Sequence, residues 1–317
     1  MKRNKFFKKV ALMMAGSLIL PAIALADIKM GIILGFTGPI ESLTPDMAGS
    51  AEVAFKEATD SGNLLSGEKI VVVRADSTCI DNAAATAAAE RLITSDKVVA
   101  IMGADCSGVT TAIANNVAVP NGVPMISPSA TSPALTTIGD NGYFFRTAPS
   151  DARQGQLLAE ITMGRDIKQV AVTYVNSDYG KGLSDSFGNA YKALGGEITI
   201  SVPHETGKAD YSAEVASMDS AGGDAMAVFG YVDQGGPGIM QASLDSGSFD
   251  LFLLADGMYG DALHTNVDGD LTGSFGTVPG TSSNGADIFR KIAADAGLNG
   301  GGPYTGESYD AAALLVL

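Results

Sequence analysis

The chain lacks the signatures on which most enzymatic readings rest. Neither a G-x-x-x-x-G-K-[ST] phosphate loop nor a G-x-S-x-G nucleophile elbow occurs in its 317 residues. Tyr179-Gly180-Lys181-Gly182 reads as a glycine-rich turn only. Histidine is scarce. His204 and His264 are the only two, far apart and in polar, loop-like stretches. A nucleophile therefore has no obvious base, and a metal has no histidine cluster. Carboxylates are common, but no close pair stands at strand ends in the manner of a glycosidase. The expectation is a protein with no catalytic residue, no metal and no cofactor.

Charge is also sparse, at 17% of residues against 46% apolar. That balance excludes disorder and allows a large buried core. Basic residues are few. The first 26 residues hold five of them (Lys2, Arg3, Lys5, Lys8 and Lys9) and no acidic one, so residues 27–317 carry 15 basic against 35 acidic side chains, a net of −20. Such a surface repels nucleic acid and anionic lipid headgroups.

Those first residues read as an export signal, 1–26. The basic stretch is followed by an apolar run from Val10 to Leu20, a break at Pro21 and a small-x-small site, Ala24-Leu25-Ala26. The apolar run is too short to span a bilayer comfortably. The expected mature chain starts at Asp27, is periplasmic, and makes no direct membrane insertion. Only two cysteines remain, Cys79 and Cys106. In an oxidising compartment an isolated pair of this kind usually forms one disulfide; two free thiols are the alternative.

What the chain does have is alternation. Strand-like runs fall at 28–34, 69–75, 98–103, 123–127, 169–175, 197–202, 225–230 and 250–254. Several are continuously apolar, as parallel strands covered on both faces require. Helical spacing fills the gaps. Met47, Ala51, Ala54 and Ala58 follow Pro45, a good first-turn residue. Ala85, Ala88, Ala89 and Leu92 follow Asp81, a plausible N-cap. Asp151 and Gln154 have the spacing of a capping box. The pattern changes near Thr147 and again in 271–279. It predicts an α/β protein of two lobes, each an open, mostly parallel sheet flanked by helices, with the chain crossing a hinge at both places. The lobes are 27–147 plus 279–317, and 148–278. The chain stops in the apolar helical stretch 311–317, and a C-terminal continuation is expected.

Small hydroxyl residues cluster at the strand-to-helix junctions, where open parallel sheets bind ligands. Cys106-Ser107-Gly108 follows one strand and opens a helix; Ser127-Pro128-Ser129-Ala130-Thr131-Ser132-Pro133 follows the next. Backbone N–H groups at the helix start and the Ser107 hydroxyl suit a carboxylate. Helix capping is the plainer role for Ser107 and Thr131.

Together these motifs resemble a known family. Thr37-Gly38-Pro39-Ile40, the cysteine pair, Cys106-Ser107, Met125-Ile126-Ser127-Pro128 with Ala130-Thr131, Phe145-Arg146-Thr147, Tyr179-Gly180 and Gly230-Tyr231 are similar to the periplasmic leucine/isoleucine/valine-binding proteins of ABC transporters. The resemblance spans the mature chain. It implies a type I periplasmic binding fold, most simply a monomer, that delivers an aliphatic amino acid to an inner-membrane permease. It also implies roles. Ser107 and Thr131 would hold the ligand carboxylate, and the Ala130 carbonyl and Thr131 hydroxyl would help with the ammonium. Tyr179 and Tyr231 would close over the ligand. Asp256, in Ala255-Asp256-Gly257, matches the family's acidic residue for the ammonium. The family commonly carries Glu there, and the loop Glu41–Thr44 is one residue longer here. An amide, urea-like or aromatic ligand, or a sensor role, therefore stands as the alternative.

Overall fold

The computed structural model describes residues 27–64, 67–280 and 282–317; the expected export signal lies outside the described residues. The chain runs through ten strands and ten helices among these residues: β1 (Ile28–Leu34), α1 (Thr44–Asp60), β2 (Ile70–Asp76), α2 (Asn82–Thr94), β3 (Ala100–Gly103), α3 (Ser107–Ile113), β4 (Met125–Ser127) and β5 (Phe144–Arg146) come first. They are followed by α4 (Asp151–Gly164), β6 (Gln169–Val175), α5 (Asp178–Ala193), β7 (Glu197–His204), α6 (Ser212–Ala221), β8 (Ala225–Phe229), α7 (Gly236–Ser246) and β9 (Phe252–Leu254). Then come α8 (Ala262–Asn266), β10 (Phe275–Gly276), α9 (Asn284–Asp295) and α10 (Thr305–Val316).

The strands form two five-stranded sheets, ordered β2-β1-β3-β4-β5 and β10-β9-β8-β6-β7, and every pairing is parallel. Each sheet has the same winding: its first strand lies between its second and its third. The chain reverses direction of travel across the sheet beside that first strand. Loops leaving the carboxyl ends of the strands on either side of this point diverge, and the space between them is where such sheets bind ligands. In the first sheet those loops follow β1 and β3; in the second they follow β6 and β8.

Apolar strands explain the layering. Ile32, Ile33 and Leu34 of β1 and Met226 to Phe229 of β8 are fully buried, so both faces of each sheet need cover. Helices supply it. Asp81 caps α2 by accepting from the Ala83 and Ala84 N–H groups at 2.9 and 3.0 Å. Pro45 lies in the first turn of α1. α10 packs on α1, where Ala48 and Ala51 meet Ala311 and Ala312 in one buried cluster with Met30 and Ile32.

One departure from the sequence reading bears on the site. The helix α4 is capped by Ser150, whose hydroxyl accepts from the Ala152 N–H at 3.2 Å. Asp151 is the first residue inside the helix, and its side chain is buried. The Asp151–Gln154 capping box is absent. Gln154 instead donates to the Thr277 carbonyl at 2.9 Å.

Helices α4 and α5 cross at a glycine. A Cβ on Gly155 would lie 2.6 Å from the Phe187 nitrogen and 2.8 Å from the Ser186 Cβ. Gly155→Val forces the helices apart, and overpacking of this kind costs about 1–3 kcal/mol. A urea titration should show the midpoint falling; an unmoved midpoint would mean that the helix pair tolerates a wider spacing.

Candidate functional site

The carboxyl ends of the two sheets face one another. The loop after β1 meets the loop after β8: the Ser42 N–H donates to the Asp233 carboxylate at 2.8 Å, and the Asp233 N–H donates to the Pro39 carbonyl at 3.0 Å. Behind this clasp lies a small cavity of about 30 Å³. From the first sheet Ile40, Leu43, Met47, Ser107 and Ser129 line it, and from the second Tyr179, Tyr231, Asp256 and Gly257. Its volume is on the scale of a water molecule or two. Residues from both sheets line it.

Asp256 organises the second side. It follows β9 in a short 3-10 turn and is buried. Tyr179 donates to its Oδ1 at 3.0 Å, and Tyr304 donates to its Oδ2 at 2.6 Å. The Gly257 N–H in turn donates to the Tyr179 hydroxyl at 3.1 Å. The Tyr179 and Tyr231 rings stack with centroids 5.3 Å apart. On the first side the Ser107 hydroxyl accepts from the Ser132 N–H at 3.0 Å, which leaves its own hydrogen to donate into the cavity. Asp105 also lies here but is spent on structure. Its carboxylate accepts from the Gly35 N–H at 2.5 Å, and from the Ser77 hydroxyl and the Cys106 N–H at 2.9 Å each.

Burial dominates the electrostatics. It pushes the Asp256 carboxyl above the usual carboxylate range, against the bonds from Tyr304, Gln154 and Tyr179 that favour the charged form. Asp151 is pushed up further, by burial first and then by the neighbouring Asp256. Burial also raises Tyr179, Tyr231 and Tyr304, so all three stay neutral phenols.

Four of the six expected ligand residues therefore line one cavity: Ser107, Tyr179, Tyr231 and Asp256. Ala130 and Thr131 sit beside it, outside the lining. The Ala130 carbonyl accepts from the Arg146 guanidinium at 3.0 Å, and that guanidinium also holds the Ser132 carbonyl at 2.8 Å. One of the two lone pairs of the Ala130 carbonyl is thereby engaged. The Thr131 hydroxyl is buried beside the Asp151 carboxylate, and the Thr131 carbonyl accepts from the Asp151 N–H at 2.9 Å. Cys79 and Cys106 form a disulfide across a Cα–Cα distance of 5.1 Å; they follow β2 and β3, the neighbours of β1 on either side.

One cavity-lining residue and one buried acid outside the lining escaped sequence reading. Tyr304 reaches Asp256 from the start of α10, after Gly300-Gly301-Gly302-Pro303, with a left-handed φ of 59°. Asp151 was absorbed by a capping motif, although Ser150 beside it is the better cap.

A larger depression, about 670 Å³, opens next to the cavity between Leu43, Met258–His264, Phe275–Val278 and Asn299–Pro303. Its carboxylates, Asp46 and Asp261, are half-buried and exposed respectively. The buried polar groups converge in the smaller cavity. Among the described residues no group of three or more His, Cys, Asp or Glu is placed to hold a metal, and no helix is long and apolar enough to cross a membrane.

His204 backs the turn that presents Tyr231. It is buried, its Nδ1 pairs with the Thr173 hydroxyl at 2.9 Å, and the backbones of Gly230 and Gly235 lie against its ring. Burial lowers its pKa from 6.5 to about 4. The folded state thus binds fewer protons than the unfolded state between those values, so this contribution is present above pH 6.5 and lost as pH falls towards 4. The shift corresponds to on the order of 3 kcal/mol. The raised carboxyls of Asp105, Asp151 and Asp256 act in the opposite sense. Comparing His204→Asn with the wild type isolates the histidine: between pH 7 and 4.5 the variant should lose less of its melting temperature. Parallel losses would show that His204 protonates without cost.

Two open parallel sheets sharing one small cavity, with hydroxyl donors facing an acid and two phenols, define a two-lobed binding protein. The comparisons with known proteins agree. The periplasmic binding protein family model matches residues 27–316, and the chain belongs to that family, whose members bind solutes and are not enzymes. An amino acid binding protein from Pseudomonas aeruginosa is 30% identical over 299 residues, 92% of this chain and 79% of that protein. A Leu/Ile/Val-binding protein homolog from Brucella melitensis is 33% identical over 215 residues, 67% of this chain but 57% of its own length. Among solved structures, the branched-chain amino acid transporter substrate-binding protein of Streptococcus pneumoniae, in complex with isoleucine, superposes with a TM-score of 0.76. It is 26% identical, and the match covers 92% of this chain and 83% of that one. The fold is the type I periplasmic binding fold.

Proposed function

We propose that this chain is the solute-capturing component of an ABC transporter and that it takes an aliphatic, branched-chain amino acid between its lobes. The observation that carries the reading is the sharing of one cavity by Ser107, on the first sheet, and Asp256, on the second. A zwitterion needs a donor at one end and an acceptor at the other. Charge-assisted bonds to its ionised groups contribute about 1.5–3 kcal/mol each. Ser107 donates to the carboxylate, with Thr131 beside it. Asp256 accepts from the ammonium, and Tyr179 and Tyr231 wall off water. Ile40, Leu43 and Met47 are apolar and suit a branched side chain.

The lobes of this reading are 27–147 plus 279–317, and 148–278, hinged where the chain crosses. Opening at the hinge admits the ligand. Closure then gives it contacts from both sides, so binding shifts the lobes toward the closed state. Export with cleavage after Ala26, a periplasmic location and delivery to an inner-membrane permease complete the proposal.

Stacked Tyr179 and Tyr231 rings favour a second reading, an aromatic acid lying against them. Asp256 weighs against it, because such a ligand brings no cation to face a buried carboxylate. Titration calorimetry of the mature protein with L-leucine, L-isoleucine, L-valine and 4-hydroxybenzoate separates the two. Heat with an aliphatic amino acid is expected. Heat with the benzoate alone would replace the first reading by the second.

A further inference from the structure

The clasp between the two sheets depends on one side chain. Asp233 lies in the loop after β8, just beyond Tyr231 of the cavity wall. Its carboxylate accepts from the Ser42 N–H at 2.8 Å, and its own N–H donates to the Pro39 carbonyl at 3.0 Å. Both partners belong to the loop after β1, and Ser42 is 191 residues away in sequence. Among the described residues the Ser42 N–H is the one hydrogen-bond donor to this carboxylate, and no Lys or Arg forms an ion pair with it. The acid is committed to the opposite side of the cavity.

The two turns that Asp233 joins are each braced. In the first, the Glu41 N–H donates to the Gly38 carbonyl at 3.3 Å and the Leu43 N–H to the Ile40 carbonyl at 3.0 Å. In the second, Tyr231 and Gly235 form a bridge, and the Asn266 side chain donates to the Val232 carbonyl at 3.1 Å. Apolar contact underlies the polar one. Leu43 packs against the buried cluster that holds Val232 and Met258. A Cβ on Gly260 would lie 3.0 Å from a Leu43 methyl and 3.8 Å from both Val232 methyls, so Gly260 leaves the room in which the two side chains sit. Ile40 and Leu43, carried by the first turn, line the cavity, and so does Tyr231 at the start of the second. A solute passing between the cavity and solvent on this side requires the two turns to part.

We propose that Asp233 is the positioning residue that retains a bound solute: its two bonds hold the first turn across the cavity, and their rupture limits escape. The proposal rests on the reading above for the identity of the solute; the clasp itself needs no ligand. Asp233 touches no solute and acts through Ile40 and Leu43, whose places depend on the turn. Changes at one binding surface act mostly on how fast the ligand leaves, because the encounter is little altered. Loss of the clasp therefore shortens residence and leaves capture nearly as fast. Asp233→Asn keeps an oxygen for the Ser42 N–H and loses the charge, so its effect falls between those of the wild type and Asp233→Ala.

Two measurements test this. Stopped-flow tyrosine fluorescence with L-leucine, L-isoleucine and L-valine reads association and dissociation separately, since Tyr179 and Tyr231 stand in the cavity wall. In Asp233→Ala the dissociation rate should rise about tenfold, the low end for a charged acceptor because Ser42 is exposed. The association rate should stay within about twofold of the wild type. Asp233→Asn should be intermediate, and both variants should melt close to the wild type. An unchanged dissociation rate, or an affinity loss carried by slower association, would overturn the proposal and leave the zwitterion reading standing. Amide hydrogen exchange of the protein without added solute provides a readout that needs no ligand. The amides at positions 42 and 233 should be protected in the wild type and should both exchange faster in Asp233→Ala, although position 233 keeps its N–H. Acceleration at position 42 alone, or no protection in the wild type, would overturn the proposal. If no branched-chain amino acid binds, the zwitterion reading fails and the exchange rates alone decide whether the clasp holds. Should the alanine variant fail to fold, Asp233→Asn carries both comparisons.

Discussion

Asp256→Asn should weaken binding of the cognate amino acid by at least tenfold, and on the order of 100-fold if the ammonium's main acceptor is this carboxylate. The substitution keeps the shape and removes the charge. A charge-assisted hydrogen bond contributes about 1.5–3 kcal/mol, which converts to roughly 10- to 150-fold in affinity. The effect on folding should be opposite in character. Asp256 is a buried acid that burial drives toward its neutral form, beside a second such acid, Asp151. Replacing it relieves that repulsion, and the amide oxygen still accepts a bond from a phenol. Calorimetry should therefore show the affinity falling while the ligand-free melting temperature holds or rises. Unchanged affinity would reduce Asp256 to a residue that positions Tyr179 and Tyr304 and touches no ligand.

Removing the disulfide should have the largest effect on stability. Cys79 and Cys106 are 27 residues apart in sequence. Closing a loop of that length restricts the unfolded chain by about 3.5 kcal/mol on the chain-entropy model. The double variant Cys79→Ser, Cys106→Ser should melt roughly 5–10 °C lower. The bond also ties the loop after β2 to the residue before Ser107, so it holds the edge of the cavity. Serine at both positions retains the neighbouring bond network around Asp105, and the affinity should change less than the stability. Coincident melting curves for variant and wild type would mean that the loop is equally constrained without its crosslink.

The fold was largely legible in the sequence, for identifiable reasons. The runs 28–34 and 169–175 became β1 and β6 end for end, because continuous apolar strands between two covered faces leave no other placement. Other boundaries moved with local hydrogen bonding. The run 123–127 pairs only from Met125, since Pro124 has no N–H to give to the ladder. The run 69–75 slid to Ile70–Asp76, matching β1 residue for residue in register.

The site was legible in part. Ser107, Tyr179, Tyr231 and Asp256 each follow a strand, so the doubly wound topology brings them to one place. Thr131 and Ala130 follow β4, one strand further from the reversal, and end up engaged with Arg146 and Asp151 outside the cavity lining. Tyr304 belongs to no strand end. Its contact depends on how the start of α10 folds back, and nothing local in the sequence encodes a partner some 48 residues away, as Asp256 is from Tyr304. A buried acid at the first position of a helix looks like a cap until its surroundings are known.

A crystal structure of the mature protein grown with L-isoleucine tests the account most directly. The ligand should lie behind the Ser42–Asp233 clasp, its carboxylate within hydrogen-bond distance of the Ser107 hydroxyl and its ammonium within that of the Asp256 carboxylate. A ligand seated instead in the open depression beside Tyr259, or turned so that its carboxylate faces Asp256, would contradict it.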